Sequence, residues 1–330
     1  MAGHDIVVIG ASAGGVDALI TVASALPADI PAALFAVLHI AAAGPTLLPE
    51  ILSATSPLPA HQPSDGDSIA RGHIYVAPPD HHLLIGRGHI HLAHGPKENG
   101  FRPAIDATFR SAARAYGPRV VGVILTGMLD DGTAGLLAVK RRGGIAVVQE
   151  PAEALFPSMP ASAIRYVGAD TIVSLNEIAP LLARLASQPV ETGGEVPISD
   201  DLELEVNISE MDREALQDAD QFGALAPFSC PGCGGVLAEF YDGDLLRFRC
   251  QVGHAYSHES LLARQADTLD HSLWAAYRAL DERTTLAQRL ARDARKLNDQ
   301  TGERRFTQLI EQAERRKEQI RQALLKDEVT

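Results

Sequence analysis

Two sets of side chains in this sequence have the types and spacing that chemistry requires. The first is Ser12, His39 and the adjacent pair Asp130 and Asp131. A hydroxyl is a weak nucleophile until a neighbouring base takes its proton, and an acid must hold that base in the right tautomer. The second set is Cys230, Cys233, Cys250 and His254, in the pattern C-x2-C-x16-C-x3-H. It offers four soft or borderline donors at a spacing suited to tetrahedral zinc. A centre closed by four protein ligands leaves no open position, so its expected role is structural. His258 is a poorer fourth ligand than His254, and three unrelated buried cysteines is the plainer alternative.

The elements that must position the first set can be read around it. Ile6-Val7-Val8-Ile9 is a run of apolar, β-branched residues, as in a strand buried on both faces. Gly10-Ala11-Ser12-Ala13-Gly14 follows as a tight turn, and Val16, Leu19, Ile20, Ala23 and Leu26 then recur at helical spacing. A strand, a sharp G-x-S-x-G turn and a helix make the layout of a nucleophile elbow. A glycine-rich turn of this kind also cradles phosphate in dinucleotide-binding folds. Against that reading, Ser12 stands where the second glycine belongs, and the next strand, Leu34 to Ile40, ends in His39 rather than an acidic residue. A third buried run, Val120 to Leu125, leads into Thr126-Gly127-Met128-Leu129-Asp130-Asp131-Gly132. The two aspartates there suit helix capping as well as catalysis. Ser12, His39 and the aspartate pair thus fall at strand ends that can converge. Their chain order, Ser-His-Asp, is not the Ser-Asp-His order of α/β-hydrolases.

Up to about residue 187 the pattern alternates strands with helices. Strands are expected at 6–9, 33–38, 73–77, 82–86, 89–92, 120–125, 145–148 and 171–174. Helices are expected at 15–26, 45–55, 104–116, 132–142, 159–165 and 176–187. This predicts an α/β fold with a doubly wound, mostly parallel sheet. The stretch 82–92, folded about Gly86-Arg87-Gly88, adds an antiparallel hairpin. The expected domains are 1–187 (catalytic), 188–228 (acidic linker), 229–257 (a small Cys3His zinc knuckle) and 258–330 (an α-helical hairpin or coiled coil).

The chain of 330 residues carries a net charge of −13. Residues 191–228 hold 11 acidic and 1 basic residue, net −10, whereas residues 1–190 hold 15 and 12 and residues 229–330 hold 16 and 16. The acidity belongs to one middle segment, and no region is basic enough to propose a nucleic-acid partner. No apolar run reaches the ~20 residues of a membrane span, and no secretory leader is evident, so a cytoplasmic protein without membrane insertion is expected. The acidic segment reads as a solvated spacer, although the alternation Leu202, Leu204, Val206 also suits an edge strand.

Several motifs taken together resemble the catalytic domain of the CheB chemotaxis protein-glutamate methylesterases over residues 4–187. They are Val8-Ile9-Gly10-Ala11-Ser12-Ala13-Gly14-Gly15, Val37-Leu38-His39-Ile40, Ile74-Tyr75-Val76-Ala77-Pro78-Pro79-Asp80-His81-His82, Phe101-Arg102-Pro103-Ala104-Ile105-Asp106 and Leu125-Thr126-Gly127-Met128-Leu129-Asp130-Asp131-Gly132. The resemblance implies a serine hydrolase that removes methyl groups from glutamate esters on chemoreceptor helices, and often deamidates glutamine there. It implies Ser12 as nucleophile, His39 as general base, Asp131 as the acid that orients His39, and the Met128 backbone N–H as oxyanion donor. Arg102 matches a family arginine near the active-site face and receives no role.

Family members typically carry an N-terminal receiver domain. Here the first catalytic strand begins at once, so control by phosphorylation in cis is not expected, and the methylated partner is a chemoreceptor or a receptor-like coiled coil. The C-terminal helices offer a route to self-association or receptor recognition. A different class of function, a catalytically silent scaffolding module working through the zinc knuckle and helical tail, is the competing expectation.

Overall fold

The computed structural model describes residues 3–44, 46–190, 197–217 and 223–326. The described strands run β1 (Ile6–Ala11), β2 (Ala33–Leu38), β3 (Ala60–His61), β4 (Ile74–Val76), β5 (His82–Ile85), β6 (Ile90–Ala93), β7 (Val120–Ile124), β8 (Ile145–Gln149), β9 (Thr171–Val173), β10 (Ala224–Ser229), β11 (Val236–Asp242), β12 (Leu245–Cys250) and β13 (Ala255–Ser257). The helices are α1 (Gly15–Ser24), α2 (Leu48–Thr55), α3 (Ile105–Tyr116), α4 (Thr133–Arg141), α5 (Ser158–Val167), α6 (Leu175–Ser187), α7 (Asp200–Ser209), α8 (Arg213–Gln217), α9 (His258–Lys296) and α10 (Gln300–Lys326).

The apolar runs do what their composition requires. β1, β2 and β7 are buried along their whole length, and a strand covered on both faces belongs in a parallel sheet between helical layers. Seven strands pair in the order β3-β4-β2-β1-β7-β8-β9, and every pairing in that sheet is parallel. Two apolar clusters fill its faces. One contains Val7, Ile9, Leu19, Leu34 and Leu182; the other contains Val8, Phe35, Ile105, Phe109 and Leu136. The hairpin expected at 82–92 forms as β5 and β6. The doubly wound α/β expectation therefore holds, and the short strand β3 is an addition to it.

Strand order reverses at β1. The chain moves from β1 to β2 and β4 on one side, then returns to place β7 on the other. Such a switch point opens a crevice beyond the carboxyl ends of the strands, where ligands bind in folds of this kind.

The expected domain boundaries after residue 187 need correction. Residues 1–261 group into one compact unit and residues 262–330 into a second, so the described parts of 188–228 and 229–257, expected as a linker and a knuckle, belong to the first unit. Within the segment expected to be a solvated spacer or an edge strand, residues 200–209 are helical. Ser199 caps α7 by accepting from the Leu202 N–H, and Asp200, Asp201 and Glu203 sit in its first turn, where the helix dipole favours negative charge. Leu202, Val206 and Ile208 are buried. The Gly193-Gly194 pair of the expected linker lies outside the described residues.

Glu205 shows why α7 stays docked. It bridges Arg247 through two contacts of 2.6 Å and takes Arg249 at 2.8 Å. Arg110 Nε lies 3.3 Å from it and also pairs with Glu98. All five groups are buried. The acidic segment thus neutralises arginines of α3 and β12 instead of solvating a spacer.

Strands β10 to β13 form an antiparallel four-stranded ribbon. In the second unit, α9 and α10 make the expected antiparallel helical hairpin, with the turn at Leu297–Asp299 and Asn298 at φ 55°. Lys317 reaches Asp281 across it at 2.5 Å. Among the described residues, no helix is long and apolar enough to cross a membrane.

Candidate active site

β1 delivers Ser12 one residue past its last paired position. The Ser12 N–H donates to Thr126 O at 3.0 Å, and the Gly15 N–H to Ser12 O at 2.8 Å. The elbow is therefore tied to the loop after β7 on one side and to the start of α1 on the other. Gly14, at φ 73°, turns the chain into the helix. Gly127 is required by crowding, since a Cβ there would lie 2.9 Å from the Ser12 Cβ and 2.0 Å from Met159 Sδ.

The crevice at the switch point brings the expected side chains together. His39, just past β2, places Nδ1 2.9 Å from Ser12 Oγ and Nε2 2.7 Å from Asp131 Oδ2. The imidazole lies flat on Phe101, with ring centroids 3.6 Å apart and planes 4° from parallel. The side chains of His39 and Asp131 are 5% and 2% exposed, so the pair is shielded from water that would compete for the bond.

The aspartate pair resolves into two environments. Asp131 Oδ2 accepts the Ile105 N–H at 2.8 Å as well as His39, and Oδ1 accepts from Asn99 Nδ2 at 2.8 Å and from the Asp106 N–H at 3.3 Å. Burial opposes ionisation of Asp131, but the His39 bond and charge, the Ile105 amide and Asn99 hold its carboxyl at about 2. Asp130 instead accepts the Ser257 hydroxyl at 2.5 Å. Burial, with the negative charges of Glu259 and Asp131, lifts it to about 7. Burial and the Asp131 charge likewise push Asp106 well above the ordinary carboxylate range.

Met128 lies on the loop between Gly127 and Asp130 and is 55% exposed. Among the described residues, none accepts its backbone N–H. Arg102, matched to the family without a role, binds Asp80 at 2.7 and 3.0 Å and the Gly95 carbonyl at 2.6 Å, with His94 alongside. It takes no direct part in the Ser12–His39–Asp131 chain of bonds.

The sequence carries no signal that marks Asn99, Ser257 or Ser260 as part of the site. Phe101 and Asp106 stood within a matching motif but had no assigned contact. Asn99 had no local signal: its importance comes from residues more than 150 positions away.

The second set also converges. The donor atoms of Cys230, Cys233, Cys250 and His254 all lie within 4.8 Å of one another. The Cys233 and Cys250 sulfurs are 3.7 Å apart, and His254 Nδ1 is 3.7 Å from Cys230 Sγ and 3.6 Å from Cys250 Sγ. A tetrahedral zinc with Zn–S of about 2.3 Å and Zn–N of about 2.05 Å has edges of roughly 3.8 Å between sulfurs and 3.6 Å between sulfur and nitrogen. The donor set fits such an ion, and the separations are far too long for a disulfide. His258, the weaker alternative ligand, instead sits against the Tyr166 hydroxyl at 3.3 Å.

A hydroxyl, an imidazole and a carboxylate in one hydrogen-bonded line, at the switch point of a doubly wound sheet, define the hydrolase class of site. Comparison with known proteins is consistent with that class. The CheB methylesterase family model matches residues 7–182, more than half of the chain, and the chain belongs to that family. It is 37% identical over 189 residues to a putative protein-glutamate methylesterase/protein-glutamine glutaminase of Leptospira interrogans, covering 57% of this chain and 98% of that protein. It is 35% identical over 190 residues to such a protein of Methanosarcina mazei, covering 55% and 52%. A third, from Xanthomonas campestris, is 38% identical over 187 residues, with 56% and 52% covered. The match thus spans nearly all of the first relative and about half the length of the other two. The crystal structure of the Thermotoga maritima CheB methylesterase catalytic domain superposes with a TM-score of 0.52 at 34% identity, covering 56% of this chain and all of that one.

Proposed function

We propose that this protein is a serine carboxylic-ester hydrolase that demethylates glutamate methyl esters, and deamidates glutamine, on the helices of a chemoreceptor or receptor-like coiled coil in a cytoplasmic signalling pathway. The observation that carries this reading is the unbroken line Ser12 Oγ, His39, Asp131 at 2.9 and 2.7 Å. Family membership and the names of the relatives support the substrate class.

In this mechanism Ser12 Oγ attacks the ester carbonyl while His39 Nδ1 accepts its proton. Asp131, ionised at neutral pH, stabilises the resulting imidazolium through Nε2. The oxyanion accepts the Met128 N–H, a contribution of about 3 kcal/mol to the barrier for one such donor. Collapse of the tetrahedral intermediate breaks the carbonyl carbon–methoxy oxygen bond, and His39 gives its proton to the departing oxygen as methanol. Water, deprotonated by His39, then cleaves the acyl-enzyme to free glutamate and Ser12.

Zinc in the Cys3His ribbon has a structural part in this reading: with all four positions taken by protein, it supplies folding energy and no chemistry. One zinc per chain by mass spectrometry of metal content is expected. Methanol release from a methylated receptor tests the catalytic reading. It should fall by at least ~10⁴-fold in Ser12→Ala, and equal release by both proteins would overturn the proposal.

A further inference from the structure

We infer that Asn99 is a positioning residue for the Asp131–His39 pair and that the Cys3His ribbon holds it in place, so that the reactivity of Ser12 depends on the ribbon's metal. The inference rests on the hydrolase reading above and adds a residue and a control element to it.

Asn99 is 3% exposed and uses every hydrogen-bonding position of its amide. Its two Nδ2 hydrogens go to the site: one to Asp131 Oδ1 at 2.8 Å, the other to Asp106 Oδ2 at 2.9 Å. Its two Oδ1 lone pairs go to the ribbon's end: one takes the Ser257 N–H at 3.0 Å, the other the Ser260 hydroxyl at 2.8 Å. Donors cannot face donors, so this arrangement fixes which way the amide points. The backbone is held from the same direction. The Asn99 N–H donates to Ala255 O at 2.7 Å, the Ala255 N–H to Lys97 O at 3.3 Å, and Glu98 bridges Ala255 in parallel fashion. These bonds also hold Asn99 at φ 52°, a left-handed conformation.

The consequence for Asp131 follows from its bonds. Oδ2 is held by His39 and the Ile105 N–H, so the opposite oxygen decides whether the carboxylate can rotate away from the imidazole. Among the described residues, Asn99 makes the only short bond to that oxygen; the other contact is the Asp106 N–H at 3.3 Å. Without Asn99 that oxygen keeps only the 3.3 Å Asp106 contact, so the carboxylate plane turns more readily and the alignment of His39 with Ser12 loosens.

The ribbon enters because Ala255 directly follows His254, a member of the proposed metal set. The Cys250 N–H donates to His254 O at 3.0 Å, so the turn that presents Nδ1 to the metal also launches β13 toward Asn99. Each group of β13 or of the first turn of α9 that touches Asn99 lies between residues 255 and 260, well beyond the family match ending at 182. The link from metal to active-site aspartate is therefore built by this chain's own C-terminal addition.

The test uses the full chain and a fluorophosphonate probe of Ser12, with Ser12→Ala as the blank. In the zinc-loaded wild type, labelling is expected across neutral pH. Its absence overturns the hydrolase reading and this inference with it. In Asn99→Ala the labelling rate should drop by about tenfold or more, its pH midpoint should move, and the low-field proton resonance of His39 Nε2–H should shift. Ser260→Ala, which removes one donor to Asn99 without touching Asp131, should give a smaller loss of the same kind and covers the case in which Asn99→Ala fails to fold. Stripping zinc with a chelator should slow labelling and shift the same resonance, and zinc should restore both. Labelled wild type with unchanged rate, pH midpoint and resonance in the variants overturns the role of Asn99 alone. Unchanged values after stripping overturn the dependence on metal.

Discussion

At the residue scale, two adjacent aspartates have opposite properties because their side chains meet different partners. Asp131 meets donors and stays ionised, while Asp130 meets one hydroxyl and is lifted to about 7. Asp130 Oδ2 has no hydrogen-bond partner among the described residues. Its folded value exceeds the ordinary 3.8, so between about pH 4 and 7 the native state binds the proton that the unfolded chain has released. Stability from this group is full below pH 4 and is lost as pH rises toward 7, by roughly 4 kcal/mol in all. The Asp130→Asn variant should therefore melt higher than wild type at pH 8, with the gap closing by pH 4. A gap that does not change with pH would show that Asp130 ionises freely.

Among the elements, α7 ties the acidic segment to the interior of the first unit. Its acidic first turn looked like a solvated run, yet its Glu205 neutralises Arg247, Arg249 and Arg110 in the interior. Desolvation opposes the charge on Glu205, but the three guanidiniums hold its carboxyl far below the usual range. Removing one member of a buried ionic network leaves its partners charged and unpaired, which typically costs 3–5 kcal/mol. Glu205→Ala should lose about that much in urea unfolding and expose the ribbon to proteolysis. A loss below ~1 kcal/mol would mean that water replaces the carboxylate. The segment had a legible helix signal in Ser199-Asp200-Asp201, an N-cap followed by acidic residues. The alternation of Leu202, Leu204 and Val206 concealed it, because three apolar residues at period two suit either element until the cap is weighed.

At the scale of the whole molecule, the compact unit that carries the site extends to Leu261, past the ribbon and the first turn of α9. A chain cut after Leu261 should fold and label at Ser12 with the rate of the full protein. A chain cut after Phe228 removes Arg247, Arg249, Ser257 and Ser260, and should melt at a lower temperature and label more slowly; equal rates for the two truncations would count against any contribution of the ribbon. The amino-acid sequence by itself determined the parallel sheet, the three strand ends bearing Ser12, His39 and the aspartates, and the grouping of three cysteines with His254. Those features rest on local apolar runs, turn chemistry and short ligand spacings, all written within a few residues. Only the tertiary structure decided that Asp130 turns to Ser257 while Asp131, which the family resemblance had singled out, meets the imidazole, that residues 200–209 of the acidic segment form a docked helix, and that Asn99 connects the ribbon to the site. Each of these depends on groups over 25 residues apart, and a buried polar side chain takes its orientation from whichever distant donor or acceptor the fold brings within reach.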